Sequence, residues 1–348
     1  MEVFSAPLDL SWIITNRCNL RCRHCLNAEL RNGTELTTRE AIAVIKQIVG
    51  LKIFRVRISG GEPLERKDLF RLIDLLSKAK VKLSLFTNGT LITRNVAKRL
   101  AVSHMEFYTV SLDGASPAVH DAIRGTGSFV KSIQGIKNLI AQKCPVLIAT
   151  TMTHVNYHDA EKIVLLARAL GARQVQFVEL MYEGDALSHI KDMAMTARER
   201  FELLTAVRDL KIKYGDMIGG SIPKSIEGAD NLRLLPRPQF RLKYRECVAG
   251  TTRCAIRPDG IVAPCERLWF LKAGDVKKEP LRDIWLHSSV MQRFRKPFII
   301  KKEYMPGCLR CRYLRPCILT RRCRPYLFFR HKLKDKSLSC RNTGVAAC

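Results

Sequence analysis

Three thiols lie close together near the start of the chain, Cys18, Cys22 and Cys25 in the run CNLRCRHC. A C-x3-C-x2-C cluster offers three thiolates. A four-iron, four-sulfur cube held by them keeps one iron without a protein ligand, and that open iron is where chemistry can take place. The alternative is a structural zinc ion, which takes four nitrogen or sulfur ligands and would use His24 as the fourth.

Further motifs follow. Gly60-Gly61-Glu62-Pro63 comes directly after the β-rich run Ile53 to Ser59. Two glycines let the backbone approach a ligand without a Cβ clash, and Glu62 can accept from an ammonium group. Thr87-Asn88-Gly89 ends the run Val81 to Phe86, and Ser111-Leu112-Asp113-Gly114 follows Phe107 to Val110. Taken singly, each is an ordinary turn sequence. Together they fall at the carboxyl ends of predicted parallel strands, the edge where α/β barrels and sheets gather ligands.

In order and placement these motifs resemble the radical S-adenosylmethionine (SAM) superfamily. The resemblance implies that Cys18, Cys22 and Cys25 hold a [4Fe-4S] cluster whose open iron is chelated by the amino and carboxylate groups of SAM. An electron from the cluster then cleaves SAM to methionine and a 5′-deoxyadenosyl radical, which abstracts hydrogen from substrate. It implies too that Gly60, Gly61, Glu62 and Pro63 hold the SAM amino group, and that Asn88, Ser111 and Asp113 contact its ribose or carboxylate. Arg124, in HDAIRG, is a further candidate for a carboxylate, against a solvated arginine at a helix end.

These motifs need a scaffold, and the hydrophobic pattern supplies one. Apolar runs at Leu8 to Ile14, Ile53 to Ile58, Val81 to Phe86, Phe107 to Leu112, Val146 to Thr151 and Gln174 to Leu180 have strand length. Between them, Thr38 to Val49, Lys67 to Lys80, Ser128 to Ala141 and Asp159 to Leu170 carry apolar residues at three and four spacing. Six βα units imply a parallel sheet with helices outside. Six rather than eight implies an α/β fold of the partial (β/α)6 TIM-like barrel kind, open on one side to a large substrate. Glu179 and Tyr182, at the end of the sixth strand, are expected to face its mouth.

The chain divides into this barrel, residues 1–195, a charged helical connector, 196–246, and a cysteine-rich region, 247–348. The last holds Cys247, Cys254 and Cys265, then Cys308, Cys311, Cys317, Cys323 and Cys340. With no secretory signal, such usage argues for metal ligation over disulfides. Eight thiolates complete two four-ligand sites; a pair of zinc ribbons is the alternative. The order CVAGTTRC-x10-C, then C-x2-C-x5-C-x5-C-x16-C, is similar to the SPASM extension of peptide-modifying radical SAM enzymes. That resemblance implies two auxiliary [4Fe-4S] clusters, one on Cys247, Cys254, Cys265 and Cys323 and the other on Cys308, Cys311, Cys317 and Cys340. The gap between Cys317 and Cys323 is five residues, where the family has three. Glu266, next to Cys265, resembles the base proposed for sulfatase-maturating relatives, usually an aspartate; otherwise it is a charged loop residue. Cys144 is expected to be a buried apolar thiol and Cys348 part of a frayed tail.

At 348 residues, 47% of them hydrophobic, the chain can bury two packed domains. It has no run of eighteen apolar residues, and its first residues, MEVFSAPLDL, lack a signal-peptide pattern, so a cytoplasmic protein without a membrane span is expected. The net charge is +28, and Lys301 to Lys336 carries twelve Lys or Arg against two acids. Such a surface attracts anionic partners or is simply a solvated face. The aromatics within it, Tyr326, Phe328 and Phe329, fit packing around a cluster better than stacking on bases, so nucleic acid is not expected. The leading expectation is an enzyme that crosslinks or oxidises a ribosomally made peptide or protein. Its partners would be an electron donor such as ferredoxin or flavodoxin and, as the first strand begins near residue 8, a separate leader-binding protein. The alternative is a cofactor-biosynthesis enzyme acting on side chains of a tetrapyrrole or another anionic small molecule. A noncatalytic iron-sulfur electron carrier or redox sensor would not need the GGEP, TNG and SLDG motifs.

Overall fold

The computed structural model describes residues 4–103, 105–219, 242–244, 247–296 and 298–300. Strand and helix alternate from the start. The elements are β1 (Asp9–Ile13), α1 (Thr38–Gly50), β2 (Arg55–Ser59), α2 (Leu69–Lys78), β3 (Lys82–Thr87), α3 (Arg94–Ala101), β4 (Phe107–Ser111), α4 (Pro117–Arg124), α5 (Ser128–Ala141), β5 (Val146–Met152), α6 (Ala160–Leu170) and β6 (Gln174–Glu179). All neighbouring pairs from β1 to β6 are parallel, as six βα units require.

Each strand has two different faces because side chains alternate. On β2, Val56 and Ile58 are fully buried in the core, while Arg55, Arg57 and Ser59 face away from it. The core-facing set continues through Leu10, Trp12, Leu83, Leu85, Tyr108, Val110 and Ile148, which pack on helix residues such as Ile48, Leu72, Leu100, Ile136 and Ile163. The opposite face forms the polar inner wall of the barrel. Helix α1 begins where Thr37 Oγ1 accepts from Glu40 N and the Glu40 carboxylate accepts from Thr37 N, which meets two of the free donors at a helix start.

The six expected strands fall within two residues of their predicted limits. Helices α3 and α4 were not marked by the pattern, and at eight residues each they are too short for the repeat to show. The expected connector opens as one more unit of the barrel. After the short helices α7 (Asp185–Ser188) and α8 (Ile190–Met193), helix α9 (Ala197–Tyr214) starts at a second capping box, Thr196 with Glu199, and leads to β7 (Ile218–Gly219), parallel to β6.

The described part of the cysteine-rich region joins the same sheet at its other end. After the short β8 (Leu242–Tyr244), strand β9 (Arg253–Ile256) lies parallel to β1; β10 (Ile261–Ala263) and β11 (Gly274–Asp275) add on antiparallel. The order is therefore β11-β10-β9-β1-β2-β3-β4-β5-β6-β7. Helices α10 (Leu281–His287) and α11 (Ser289–Arg295) follow, with Trp285 and Met291 in the main core, and β12 (Phe298–Ile300) pairs antiparallel with β8. Among the described residues no helix is long and apolar enough to cross a membrane.

Candidate active site

The loop after β1 carries Cys18, Cys22 and Cys25 and lies along the Gly60–Pro63 turn. Gly61 N donates to Thr15 O at 2.8 Å, Glu62 N to Arg17 O at 2.7 Å, and Asn27 Nδ2 to Gly60 O at 2.9 Å. A Cβ on Gly61 would stand 2.2 Å from Arg17 O. The close approach that demands glycine is thus made by the chain's own thiol loop, where the sequence suggested a ligand.

Glu62 is fully buried. It accepts from Thr87 Oγ1 at 2.8 Å, Asn88 N at 2.7 Å and Leu64 N at 3.2 Å. An ionised carboxylate has about four acceptor positions, so roughly one is left for an ammonium. Burial pushes this carboxyl up to about 7, although the three donors pull the other way. Asn88 is turned toward the thiol loop. Its Nδ2 donates to Asn19 Oδ1 at 2.9 Å and lies 4.0 Å from Cys18 Sγ, and its Oδ1 accepts from Thr90 N.

Asp113, expected to contact SAM, is engaged inside the protein. Its Oδ1 accepts from Thr151 N at 2.8 Å, and its Oδ2 meets both Arg124 Nε at 2.5 Å and His24 Nε2 at 2.6 Å. It is fully buried, and these three partners are all the chain's own. Burial by itself would raise this carboxyl, but Arg124 and then His24 outweigh it and hold it well below the usual range. Arg124 is also buried, and its Nη1 lies 3.8 Å from Cys22 Sγ. His120 accepts from Asp113 N through Nδ1; burial, with Arg124 adding to it, lowers this imidazole to about 4, so it stays neutral. Ser111, the other expected contact, ends β4 half-buried on the inner face.

These positions fit a cluster better than one metal ion. His24, the fourth ligand a zinc ion would need, is engaged by Asp113 instead. The thiols do meet donors suited to cluster sulfurs: Leu20 N, 3.4 Å from Cys18 Sγ, and Arg124 at Cys22. Burial pushes the free Cys22 thiol up to about 11 despite Arg124.

A strap after β6, which carried no sequence signal, closes the other side of the loop. Asp185 N donates to Cys25 O at 3.1 Å, a Cβ on Gly184 would stand 2.3 Å from that same oxygen, and Arg31 pairs with Asp185 at 2.6 Å. One residue earlier, the fully buried Glu183 accepts from Trp269 Nε1 at 3.2 Å, four residues past Cys265. Glu179 and Tyr182 do not face the mouth. Both engage the buried Arg200 of α9, at 2.7 and 3.0 Å, because Glu179 shares its strand face with the core residue Val175.

Cys247 and Cys265 share one packing group with Ala249, Leu268 and Phe294. Cys254 lies in a different one, the main core. Beside Cys265, Glu266 accepts from Ser11 Oγ at 3.0 Å and stands 3.5 Å from Arg253, which also bonds Asp9, as Arg57 does. Its surroundings would raise its carboxyl, yet Arg253 leads the positive neighbours that hold it below its ordinary value. Cys144 is buried as expected. Cys308, Cys311, Cys317, Cys323, Cys340, Cys348 and the basic run from Lys301 lie outside the described residues.

Residues 12–167 match the radical SAM superfamily model, and residues 247–312 match SPASM, an iron-sulfur cluster-binding domain. The mycofactocin maturase MftC of Mycobacterium tuberculosis is 31% identical over 299 residues, covering 84% of this chain and 73% of that protein. The chain belongs to the radical SAM superfamily. An AdoMet-dependent heme synthase of Methanosarcina barkeri is 29% identical over 330 residues, covering 88% of this radical SAM chain and 92% of its own. The fold is shared with Streptococcus suis SuiB bound to its precursor peptide SuiA, at a TM-score of 0.69, 18% identity and coverage of 90% and 71%. With the family come SAM, a [4Fe-4S] cluster at its site and auxiliary clusters in the SPASM region.

Proposed function

We propose that this radical SAM/SPASM enzyme modifies a ribosomally made peptide or protein, by crosslinking or oxidation. The observation that carries the reading is the match, over 84% of the chain in each case, to a mycofactocin maturase and to a PqqA peptide cyclase. When bound, SAM and its cluster supply a radical that takes hydrogen from the substrate.

The protein's own residues hold and orient. Cys18, Cys22 and Cys25 are the ligands of the SAM-site cluster, and Cys247 and Cys265 belong to the auxiliary ligand set with cysteines of the later run. Glu62 receives the SAM ammonium on its remaining acceptor position, and Gly60, Gly61 and Pro63 shape the turn that presents it. Ser111 and Arg124 face the carboxylate end, while Asn88 and Asp113 keep the thiol loop and Arg124 in place. Glu266 lies on the inner wall, where its low proton affinity and its Arg253 partner suit orienting a substrate group more than accepting a proton. A ferredoxin or flavodoxin as donor, and a cytoplasmic setting, complete the proposal.

A second reading, action on the side chains of an anionic tetrapyrrole, is favoured by one observation. The chain spans 92% of the heme synthase but 73% of the maturase. Anaerobic turnover with SAM, reductant and a cell extract separated by size decides between them. Release of 5′-deoxyadenosine stimulated by the peptide-sized fraction supports the first reading; stimulation confined to the smaller fraction replaces it with the second.

A further inference from the structure

We infer that Cys254 is not a ligand of an auxiliary cluster, although its spacing places it among the cluster cysteines. The inference concerns the SPASM region alone and holds whichever substrate the enzyme takes.

Strand β9 settles which way residue 254 points. Its register against β1 pairs Asp9 with Arg253, Leu10 with Cys254, Ser11 with Ala255 and Trp12 with Ile256. Paired residues share a face. Leu10 and Trp12 are core residues beneath the helices, and Cys254 and Ile256 join them there, all essentially without exposure. Arg253, one residue earlier, lies on the opposite face: it bonds Asp9 at 3.0 Å and approaches Glu266 at 3.5 Å. Glu266 is the neighbour of Cys265. The antiparallel pairing of Ala263 with Ala255, carried two residues on, sets Cys265 opposite Arg253 and on its side of the sheet, and the Cys254 thiol lies across the sheet from it.

A shift of register by one residue is the way to bring Cys254 round, and the sheet forbids it. Such a shift moves every side chain of the strand to the other face. It would drive the Arg253 guanidinium among Leu10, Trp12 and Val262 and strip it of both acids. The register is held from both sides, by β1 and by the antiparallel pairs Val262 with Ile256 and Ala263 with Ala255. Thr252 O, which accepts from both Leu8 N and Asp9 N, pins the strand's start.

Cys254 then serves as a small apolar core residue. The eight expected auxiliary thiolates become seven, one short of two fully cysteine-ligated cubes.

The first test compares iron content and the electron paramagnetic resonance spectra of reduced protein, reconstituted without oxygen. Full loading with three cubes is about twelve iron atoms per chain. We expect Cys254→Ala and Cys254→Val to keep the wild-type iron content and auxiliary signals, and Cys265→Ala to lose one cube, about four irons. A Cys254 variant that melts like the wild type but loses that cube overturns the inference. A second test needs no substitution. After iron is removed from the wild-type chain, the half-buried Cys247 should become open to alkylation, read by mass spectrometry, while Cys254 stays protected. Labelling of Cys254 together with Cys247 overturns it as well.

Discussion

Around Cys18, Cys22 and Cys25 the chain is held by buried charge and by backbone pressed against backbone, whereas Cys247 and Cys265 rest in an apolar patch beside a partly buried set of ion pairs. At the first region Asp113 satisfies Thr151, Arg124 and His24 at once, and glycines 61 and 184 leave no room for a side chain. At the second, Leu268 and Phe294 supply packing, and Arg253 links Asp9 to Glu266. Polar clamps fix direction as well as position; apolar contacts fix position with more tolerance. A site that must present one open iron to one ligand gains from the former.

The largest effect should come from breaking the clamp. Asp113→Asn leaves Arg124 buried without its acid, a change that costs about 3–5 kcal/mol. Thermal unfolding of the iron-free chain should show that loss, and binding isotherms of the reconstituted protein should show weaker SAM affinity. An unchanged melting point would refute the clamp.

Next in size is Gly61→Ala, whose added methyl meets Arg17 O. Overpacking of this kind costs about 1–3 kcal/mol, and the SAM-site cluster signal should broaden while the auxiliary signals stay unchanged.

Glu62 adds a pH dependence that separates the regions further. Burial pushes its folded carboxyl up to about 7, above the ordinary value of the unfolded chain. Between those two values the unfolded chain has lost the proton and the folded chain retains it, so this residue favours folding at the acid end and its contribution declines as pH rises through 7. SAM binding has the opposite sign, since an ammonium wants the ionised form. Affinity should fall about tenfold from pH 8 to pH 6, and Glu62→Gln should bind weakly at both. Equal pH dependence in that variant would remove Glu62 from the ammonium site.

The smallest effect tests the strap. Trp269→Phe keeps the ring but removes the donor to Glu183, leaving a buried acceptor one partner short at about 1–2 kcal/mol. Stability should drop by that amount with little change in SAM affinity. A large loss of SAM binding would mean that the two regions are less separate than their construction suggests.

Much of this was legible in the residue order. The strands could be found because one face of each is apolar and the thiol, GGEP, TNG and SLDG motifs fall at their ends. The partners of Asp113 could not: they come from residues 89, 11 and 38 positions away, and no local pattern links them. His24 could be seen as a possible ligand, but its role as the link between the thiol loop and Asp113 required the fold. Glu179 shares its strand face with Val175, and what turns that face inward is the packing of the fold, while its partner Arg200 sits on α9, a helix whose charged sequence gives little hint of where it docks. For Cys254, spacing suggests a ligand, while the alternation in Arg253-Cys254-Ala255-Ile256 already points it away; that signal counts only once β9 is known to be a strand.

The pairing of β9 with β1 also bears on how the chain is made. Asp9 and Arg253, which bond across that pair, stand 244 positions apart. On the ribosome, the outer rim of β1, next to Leu10 and Trp12, emerges first and waits for a partner that arrives after two thirds of the polypeptide. An unpaired apolar rim is a template for the wrong neighbour. Contacts this distant also slow folding. Fragments ending before β9 should therefore be prone to aggregate even though every βα unit of the barrel is present, and the late-made SPASM region doubles as the seal on the first strand.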